Sequence, residues 1–306
     1  MKISTRQLAL GLCMTALGSA LLAGCGDEKS PTAADPQTAA PTSASPSSET
    51  PPNETPTSPS SGGGTPDMVA APVYFVGESP MGLRLYREFR QVEADNPAEE
   101  ALALLLAGDV LDPDYFTLFD GLQLGYVDVR DDEIGVELGS GPYPRPDGMS
   151  RADAELALQS LVYTLQGVTQ SRLPVQFEGD HDVAQEIYGI ALDGPIQAAP
   201  QIDVVTLVNV TTPAHGQTLS GSFTAEGVAN SFEATVPWKI IDSSGAVVAE
   251  YSAMAEGAYD RLYPWSTEID VSDLPPGDYT FVALTDDPTG GEGPGAFQDT
   301  KAITIE

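Results

Sequence analysis

The sequence predicts a disordered N-terminal tether, then an α+β domain (a sheet with two helices), then an all-β sandwich. Three observations support this order. Residues 31–66 are mainly Pro, Ser, Thr, Ala and Gly, helix and strand patterns mix between residues 71 and 200, and short strand-like runs dominate after residue 202. We therefore expect four segments: a signal peptide over 1–24, a linker over 25–66, the α+β domain over 67–200 and the sandwich over 201–306.

The composition excludes several classes of function. The 306 residues include 45 Asp and Glu but only 13 Lys and Arg, which gives a formal net charge of −32. A chain this acidic lacks the clustered bases that bind nucleic acid, and its own surface charge cannot hold it on anionic lipid. Its two Cys and two His are too few for a disulfide framework or a Cys/His zinc site.

The N-terminus has the pattern of a secretory signal. Lys2 and Arg6 precede an uncharged, apolar stretch over residues 8–22, which is too short to span a membrane as a helix. The following letters LAGC, which end at Cys25, resemble a bacterial lipobox. The resemblance implies cleavage before Cys25 and a diacylglycerol on its thiol, at the extracytoplasmic face of the cell membrane. An ordinary secretory signal with a chance Cys is the alternative.

The linker has the composition of a tether. Residues 31–66 contain many prolines and no large apolar side chain. Such a segment cannot bury enough apolar surface to offset the entropy of ordering, so we expect it to be disordered. A tether on the lipid is its natural role, and a mere spacer is the alternative.

The first part of the α+β region predicts two strands and a helix. Residues 72–76 and 83–89 have the residue types and alternation of neighbouring strands. Asn96 is placed to cap a helix with Pro97 in its first turn, and Gly108 is placed to end it.

The second part predicts a hairpin, a longer helix and a further strand. The hairpin strands span 123–130 and 133–138, and the last strand spans 174–178. Ser150 and Asp153 have the spacing of a capping box at the start of the helix. The predicted apolar face of this helix consists of Ala154, Leu158, Leu161, Leu165 and Val168, opposite Glu155, Gln159 and Gln166.

The C-terminal region predicts seven short strands separated by turn formers. Seven strands in a region of this length, without a Cys pair, are typical of an Ig-like sandwich whose core holds without a disulfide. We expect Trp238, Trp265 and Phe281 to lie in that core rather than on a binding platform. The predicted strands span 204–210, 222–226, 232–241, 246–251, 266–271, 279–285 and 302–305.

Both folded regions resemble known families. Residues 72 to about 190 resemble a GerMN domain, named for the spore-germination protein GerM, through the segments PVYFVG, LYREFR, PAEEALALLLAG and ELALQSLVYTLQGV. Residues 205–305 resemble the Ig-like domain that accompanies such proteins, through NVTTPAHGQTLSG, ANSFEATVPWKIIDSSGAVV and LPPGDYTFVAL. The resemblance implies a non-enzymatic envelope lipoprotein capable of assembly into a larger structure, and it does not imply that the organism forms spores.

The side chains that could bind a metal or catalyse a reaction form no distinct motif. Residues 180–182 read Asp-His-Asp, but neighbours on an extended chain point to opposite sides, and the other His, His215, lies in a predicted turn. A solvated loop is therefore favoured over a metal site. A Ca²⁺ loop is the alternative to a mobile acidic loop near residues 286–299, where the carboxylates are Asp286, Asp287, Glu292 and Asp299.

Two classes of function remain open. The first is a non-catalytic interaction or scaffolding lipoprotein, held on the membrane by its lipid, with an envelope protein or its own copies as partner. The second is a module on the same tether that binds cell-wall glycan or a small ligand. A sticky edge strand would favour the first class, and an exposed aromatic row on one sheet would favour the second. We expect no catalytic residue, metal, cofactor or nucleic-acid partner, and the one predicted site residue is Cys25.

Overall fold

The structure is a computed structural model that describes residues 67–139, 141–179, 186–287 and 290–306. The described residues lie in one compact unit. The predicted signal peptide, Cys25 and the linker lie outside the described residues, and so does the Asp-His-Asp run at 180–182.

The first sheet of the α+β region is built on a long antiparallel pair. Strands β1 (Met68–Ser79) and β2 (Gly82–Glu93) pair along their whole length, and β3 (Tyr115–Phe116) adds to the other side of β1. The two predicted strands are thus confirmed, and both are longer than the sequence indicated.

The second sheet contains the predicted hairpin. Strands β4 (Leu124–Val129) and β5 (Ile134–Leu138) are antiparallel, and β6 (Val175–Glu178) pairs parallel to β5. A small hairpin of β7 (Glu186–Ile187) and β8 (Ile190–Ala191) follows. The α+β class is confirmed, and in detail its strands form two three-stranded sheets rather than one.

The two helices begin and end close to the predicted residues. Helix α1 spans Pro97–Ala107, and Gly108 ends it in the left-handed conformation, at φ 65°. Asn96 occupies the N-cap position but its side chain makes no capping hydrogen bond, so that part of the prediction is wrong. Helix α2 spans Arg151–Val168, and its predicted capping box between Ser150 and Asp153 is present in both directions.

Helix α2 is buried on more than one face. It packs against β1, α1 and β8. Gln166, which we expected on the solvent face, is 4% exposed, and its Nε2 donates to the carbonyl oxygen of Leu173 at 2.9 Å. The amphipathic pattern underestimated this burial because helical periodicity does not show that the Gln166 Nε2 group finds a carbonyl partner beyond the end of the helix.

The C-terminal region is the predicted Ig-like sandwich of two sheets. A short helix, α3 (Gln201–Val204), leads into it, and a single 3₁₀ turn (Phe232–Ala234) replaces the start of one predicted strand. One sheet has the order β10-β16-β15-β12-β13 and the other β14-β11-β9. The strands are β9 (Val208–Thr212), β10 (Gln217–Leu219), β11 (Ser222–Ala229), β12 (Thr235–Asp242), β13 (Val247–Met254), β14 (Tyr263–Asp270), β15 (Gly277–Leu284) and β16 (Gln298–Ile305). The strand β10 was not predicted.

The sandwich core contains the three expected aromatic residues. Trp238, Trp265 and Phe281 are 8%, 3% and 0% exposed, which confirms their assignment to the core. Gly227 lies at a bulge of β11, where a Cβ atom would come within 2.2 Å of the Asn209 carbonyl oxygen. The glycine therefore allows β9 to approach closely, and β9 is the strand that meets the α+β region.

Candidate functional site

The two folded regions meet at a cluster of buried charged and polar side chains. We call this the junction cluster. Strands β9 and β16 of the sandwich supply three members, and β2, β3 and the loop before β3 supply the others. Each member is at most 8% exposed. The junction cluster consists of Glu88, Asp112, Tyr115, Asn209, Asp299 and Lys301.

Lys301 is the centre of the junction cluster. Its Nζ lies 2.6 Å from Asp112 Oδ2, 3.0 Å from Asp299 Oδ1 and 2.6 Å from the Tyr115 hydroxyl. The ammonium group also lies 4.5 Å from the centroid of the Tyr115 ring. These three hydrogen bonds use all three donors of a lysine. Two of the partners come from the other folded region, so Lys301 joins the two regions directly.

Asp299 is equally well satisfied. Its Oδ1 accepts from the Tyr115 hydroxyl at 2.6 Å. Its Oδ2 accepts from Asn209 Nδ2 at 2.9 Å and from the backbone N–H of Val210 at 2.6 Å. Our expectation that Asp299 belongs to an acidic surface loop is therefore wrong, because its side chain is buried and paired in β16. This carboxylate is not available to a Ca²⁺ ion in the loop.

The carboxylate of Glu88 positions the loop that carries Asp112. Glu88, on β2, accepts hydrogen bonds from the backbone N–H groups of Leu111 and Asp112, the latter at 2.7 Å. Arg90 lies 3.7 Å from the same carboxylate. These contacts fix the loop that presents Asp112 to Lys301.

Burial and neighbouring charge perturb the titration of these groups. Burial raises the pKa of the Tyr115 hydroxyl well above its ordinary value, and the nearby Asp299 adds to this. Burial also raises the pKa of Glu88. For Lys301, burial acts to lower the pKa, but the charges of Asp299 and Asp112 outweigh it, so the pKa is raised and the ammonium form is favoured.

Backbone contacts also cross the junction. The N–H of Thr206 donates to the Leu85 carbonyl oxygen at 2.9 Å, and the N–H of Arg87 donates to Asn209 Oδ1 at 3.3 Å. The Arg87 guanidinium donates to Thr211 Oγ1 at 3.1 Å. The outer edge of β2 is therefore covered by the segment that enters the sandwich.

His215 lies in a turn, as predicted, at the margin of the junction cluster. Its Nδ1 is 3.4 Å from Asp112 Oδ1, and its side chain is 22% exposed. The Asp112 carboxylate is already bonded to Lys301, so it is not free to serve His215 alone. Among the described residues, no group of three or more His, Cys, Asp and Glu is placed to hold a metal ion.

A separate groove of about 730 Å³ lies on the α+β region. Helix α2, the turn between β1 and β2, and the segment after β8 form its walls. Its floor is apolar and includes Leu156, Leu158 and Leu192, while Arg84, Asp153 and Asp203 are among its polar lining residues. Among the described residues its lining contains no aromatic ring, His, Lys or Cys, and the apolar floor suits the apolar part of a ligand.

Strand β13 forms an unusual edge of the sandwich. It is the last strand of the five-stranded sheet, and it pairs only with β12 along Val247–Met254 in the described part of the chain. Tyr251 is 76% exposed and Met254 is 62% exposed. Other exposed aromatic side chains, such as Tyr126 and Tyr259, lie outside β13.

Family comparison identifies the two regions. Residues 72–181 match the family model described as sporulation and spore germination, and residues 207–292 match the one described as the immunoglobulin-like domain of bacterial spore germination. The chain carries a GerMN-type domain followed by this Ig-like domain. The resemblance inferred from the sequence is thereby confirmed. No curated protein matches the chain.

Solved structures give weaker likenesses. The tandem GerMN domains of the sporulation protein GerM from Bacillus subtilis are 14% identical over 68% of this chain and 63% of theirs, with a TM-score of 0.33. A candidate lipoprotein from Clostridium perfringens is 14% identical over 42% of this chain and 87% of its own, with a TM-score of 0.30. These scores are too low to support an inference about function or assembly.

One pattern in the sequence indicates part of the junction cluster, and our predictions did not include it. In β16, Asp299 and Lys301 alternate with the same period as the buried Ile303 and Ile305. Since every second side chain of a strand points to the same face, both charges fall on the buried side. Two inward charges of opposite sign indicate a buried ion pair. No comparable pattern in the sequence indicated that Asp112 and Tyr115 would be buried in the cluster.

Proposed function

We propose that this chain is a lipoprotein anchored through Cys25 on the extracytoplasmic face of the cell membrane, where it acts as a non-catalytic interaction protein. The two spore-germination domains give it a germination-protein-like role. The linker rich in Pro, Ser and Thr would hold these domains at a distance from the membrane, and contact with a partner would be their activity.

The proposal rests on how the polar groups at the junction are bonded. Lys301, Asp299, Asp112 and Tyr115 are the kinds of residue that catalyse reactions when one of them is left free. Here they bond to one another and hold two domains in one unit. Because these buried charges pair across the junction, they support a fixed orientation of the two domains. A protein that acts by contact needs its surfaces held in such a fixed arrangement.

Membrane fractionation tests the anchor. The Cys25→Ser chain should leave the membrane fraction or remain unprocessed, because the thiol that receives the lipid is gone. Cys13→Ser is the matched control, since it lies in the segment that cleavage removes, and it should fractionate as the unmodified chain does. In the part of the chain that the structure describes, no helix combines the length and apolar character that crossing a bilayer requires. Unchanged fractionation and gel mobility of Cys25→Ser would refute the anchor.

Incubation with peptidoglycan tests the absence of catalysis. The purified chain should release no wall fragments, and His215→Asn should leave its cellular function intact. Turnover that disappears when a single acidic residue is replaced, with the domain still folded, would establish an enzyme instead.

The groove supports a second candidate, a module that binds a small ligand. Its apolar floor and its volume of about 730 Å³ are of the size that drug-sized molecules occupy. The described residues of its lining include no aromatic ring, and this disfavours a bare glycan. Ala191→Trp would fill the exposed end of the groove, and Ala302→Trp on β16 is the control. Calorimetric titration with soluble wall fragments should give heat that only Ala191→Trp abolishes if this candidate is correct.

A further inference from the structure

We propose that strand β13 is a homodimerisation edge, at which a second copy of this chain extends the five-stranded sheet by antiparallel pairing across a two-fold axis. The inference deepens the proposed function, because it names the partner as the chain itself. It does not depend on the lipid anchor, and it concerns one face of the Ig-like domain.

The first argument is the exposed, unpaired backbone of this strand. Along Val247–Met254 no strand of the described residues pairs with the outer side of β13. Strand β14 packs close to part of it, and the next residue, Ala255, forms a bridge to β14. An open edge offers a row of N–H and C=O groups to another strand. Proteins usually protect such edges with charge, Pro, short length or a covering segment.

Three other edge strands of the described sheets carry that protection. The segment after α3 covers β2, as the bonds from Thr206 and Arg87 show. Strand β14 contains Pro264, Glu268 and Asp270. Strand β10 has three residues. Strand β13 has eight residues and no Pro or Lys, and its bulge lies at its start, where Val248 falls between the pairs of Val247 and Ala249.

The second argument is the local charge. Over the whole chain acids outnumber bases by 45 to 13, so two copies repel each other over most of their surface. The sole charge on β13 is Glu250, and it lies opposite Lys239 of β12 in the sheet register. Each copy therefore brings a paired acid to this edge, so two copies repel each other less there than over the rest of their surface.

The third argument is that the sandwich leaves apolar surface uncovered at this edge. Tyr251 pairs with Trp238 of β12, so both side chains are on the same face of the sheet, the one that forms the core. Trp238 is 8% exposed but Tyr251 is 76% exposed. The five-stranded sheet therefore extends beyond the three-stranded one, and its margin offers an aromatic ring to a neighbour.

Symmetry selects the register. The two-fold axis must run perpendicular to the sheet, because the core-facing side of one copy has to continue the core-facing side of the other. Such an axis passes through a pair formed by one residue and its own copy. With Glu250 on the axis, two carboxylates would face each other, which is destabilising. With Tyr251 on the axis, the two tyrosines pair, Glu250 lies opposite Ser252, and Ala249 lies opposite Ala253. We therefore place Tyr251 on the axis.

The interface would be small. One added strand pair buries less than the roughly 1,200–2,000 Å² of a stable protein–protein interface, so the dimer should be weak and dynamic in solution. A covalent trap detects such a dimer better than gel filtration does. Opposite Cα atoms of antiparallel strands lie about 4.5–5.5 Å apart, which is within the range that a disulfide spans.

The experiment is oxidative cross-linking, in intact cells, of full-chain variants that each carry one added cysteine. Tyr251→Cys should give a covalent homodimer on a non-reducing gel. Glu250→Cys should give roughly fivefold less or none, because the copies of residue 250 would lie about 7–8 Å apart on the diagonal. The unmodified chain controls for Cys13 and Cys25, and Tyr259→Cys controls for an equally exposed loop position.

Several results would overturn the inference. Equal cross-linking at 250, 251 and 259 would indicate random collision, and a homodimer at 250 alone would indicate another register. Cross-links from residue 251 to other proteins, without a homodimer, would mean that the edge serves a different partner. Added salt should raise the yield, because it screens the repulsion between acidic chains. Membrane release of Cys25→Ser is scored separately, so failure of the anchor and failure of the dimer are distinguishable.

Discussion

The junction cluster and the edge strand β13 differ in opposite senses from an ordinary protein surface: the first buries charged groups, and the second exposes apolar side chains. At the junction the protein buries an ammonium group, three carboxylates, a phenol and an amide, and every one of them has partners. At β13 it exposes Tyr251, Met254 and Val247, and the backbone N–H and C=O groups on the outer side of the strand have no paired strand among the described residues. The rest of the surface is strongly acidic.

This contrast shows which surface of the chain is already occupied and which is free. Buried charge is tolerated only when every group is paired, so a fully satisfied cluster marks a permanent contact. Exposed apolar surface on an acidic protein costs solubility, and it is retained where a partner covers it. We therefore interpret the junction as an interface inside the chain and β13 as an interface between chains.

The largest expected effect comes from Lys301→Met. Removal of the ammonium group leaves Asp112 and Asp299 buried without a counter-charge, and loss of one member of a buried pair costs about 3–5 kcal/mol of unfolding free energy. Lys239→Met is the control, because Lys239 is the other lysine of the folded regions and lies on the sheet surface, where about 0.5 kcal/mol is expected. Urea unfolding measures both. Equal effects would show that the junction ion pairs do not stabilise the fold.

Tyr115→Phe should have an intermediate effect. The hydroxyl accepts from Lys301 and donates to Asp299, so its removal leaves one donor and one acceptor short of a partner, at a cost of about 1–3 kcal/mol. Tyr126→Phe, on the exposed face of β4, should change the unfolding free energy little. If the two substitutions prove equivalent in urea unfolding, the hydroxyl is not part of the network that holds the junction.

Alkaline pH should weaken the junction by a further mechanism. The pKa values of Lys301 and Tyr115 are raised above their ordinary values of 10.5 and 10.0. The folded state therefore holds both protons more tightly than the unfolded state, so their contribution is complete below pH 10 and is lost as the pH rises through the folded-state values. Thermal unfolding of the unmodified chain should shift to lower temperature above pH 10. Lys301→Met should show a shallower decline, and an identical slope would contradict this assignment.

The smallest effect on stability should come from Tyr251→Lys. The side chain is 76% exposed, so the unfolding free energy of the monomer should change by no more than about 0.5 kcal/mol. The same substitution places two like charges on the proposed axis and should abolish dimer formation, measured by cross-linking at Ala249→Cys with Ala253→Cys. A marked loss of monomer stability would show that Tyr251 belongs to the core, and the contrast with the junction would then fail.

Sequence patterns predicted the elements better than their assembly. The capping box at Ser150, the end of α1 at Gly108 and the core positions of Trp238 and Phe281 followed from local spacing and alternation. The predictions failed where a partner outside the residue's own helix or strand changed the environment of a polar residue. Gln166 is buried because Leu173 offers it a carbonyl oxygen, and Asp299 is buried because Lys301, Tyr115 and Asn209 surround it.

Some predictions stay open. Independent folding of the regions 67–200 and 201–306 is one, and the number of transitions in the unfolding of Lys301→Met bears on it, since separate transitions would show that the domains uncouple when the pair is lost. The lipid on Cys25 is another, and fractionation decides it.

The sequence by itself determined the acidic character, the linker composition, the run of strands and helices, and the inward side of β16 on which Asp299 and Lys301 lie. These features depend on residues a few positions apart, where the periods of helix and strand apply. Only the tertiary structure decided that Lys301 meets Asp112, which is 189 residues away, and that one sheet extends past the other to expose Tyr251. The physical reason is that a charge or an aromatic ring acquires its role from whatever the packed chain places around it, and local periodicity carries no information about a partner so far along the sequence.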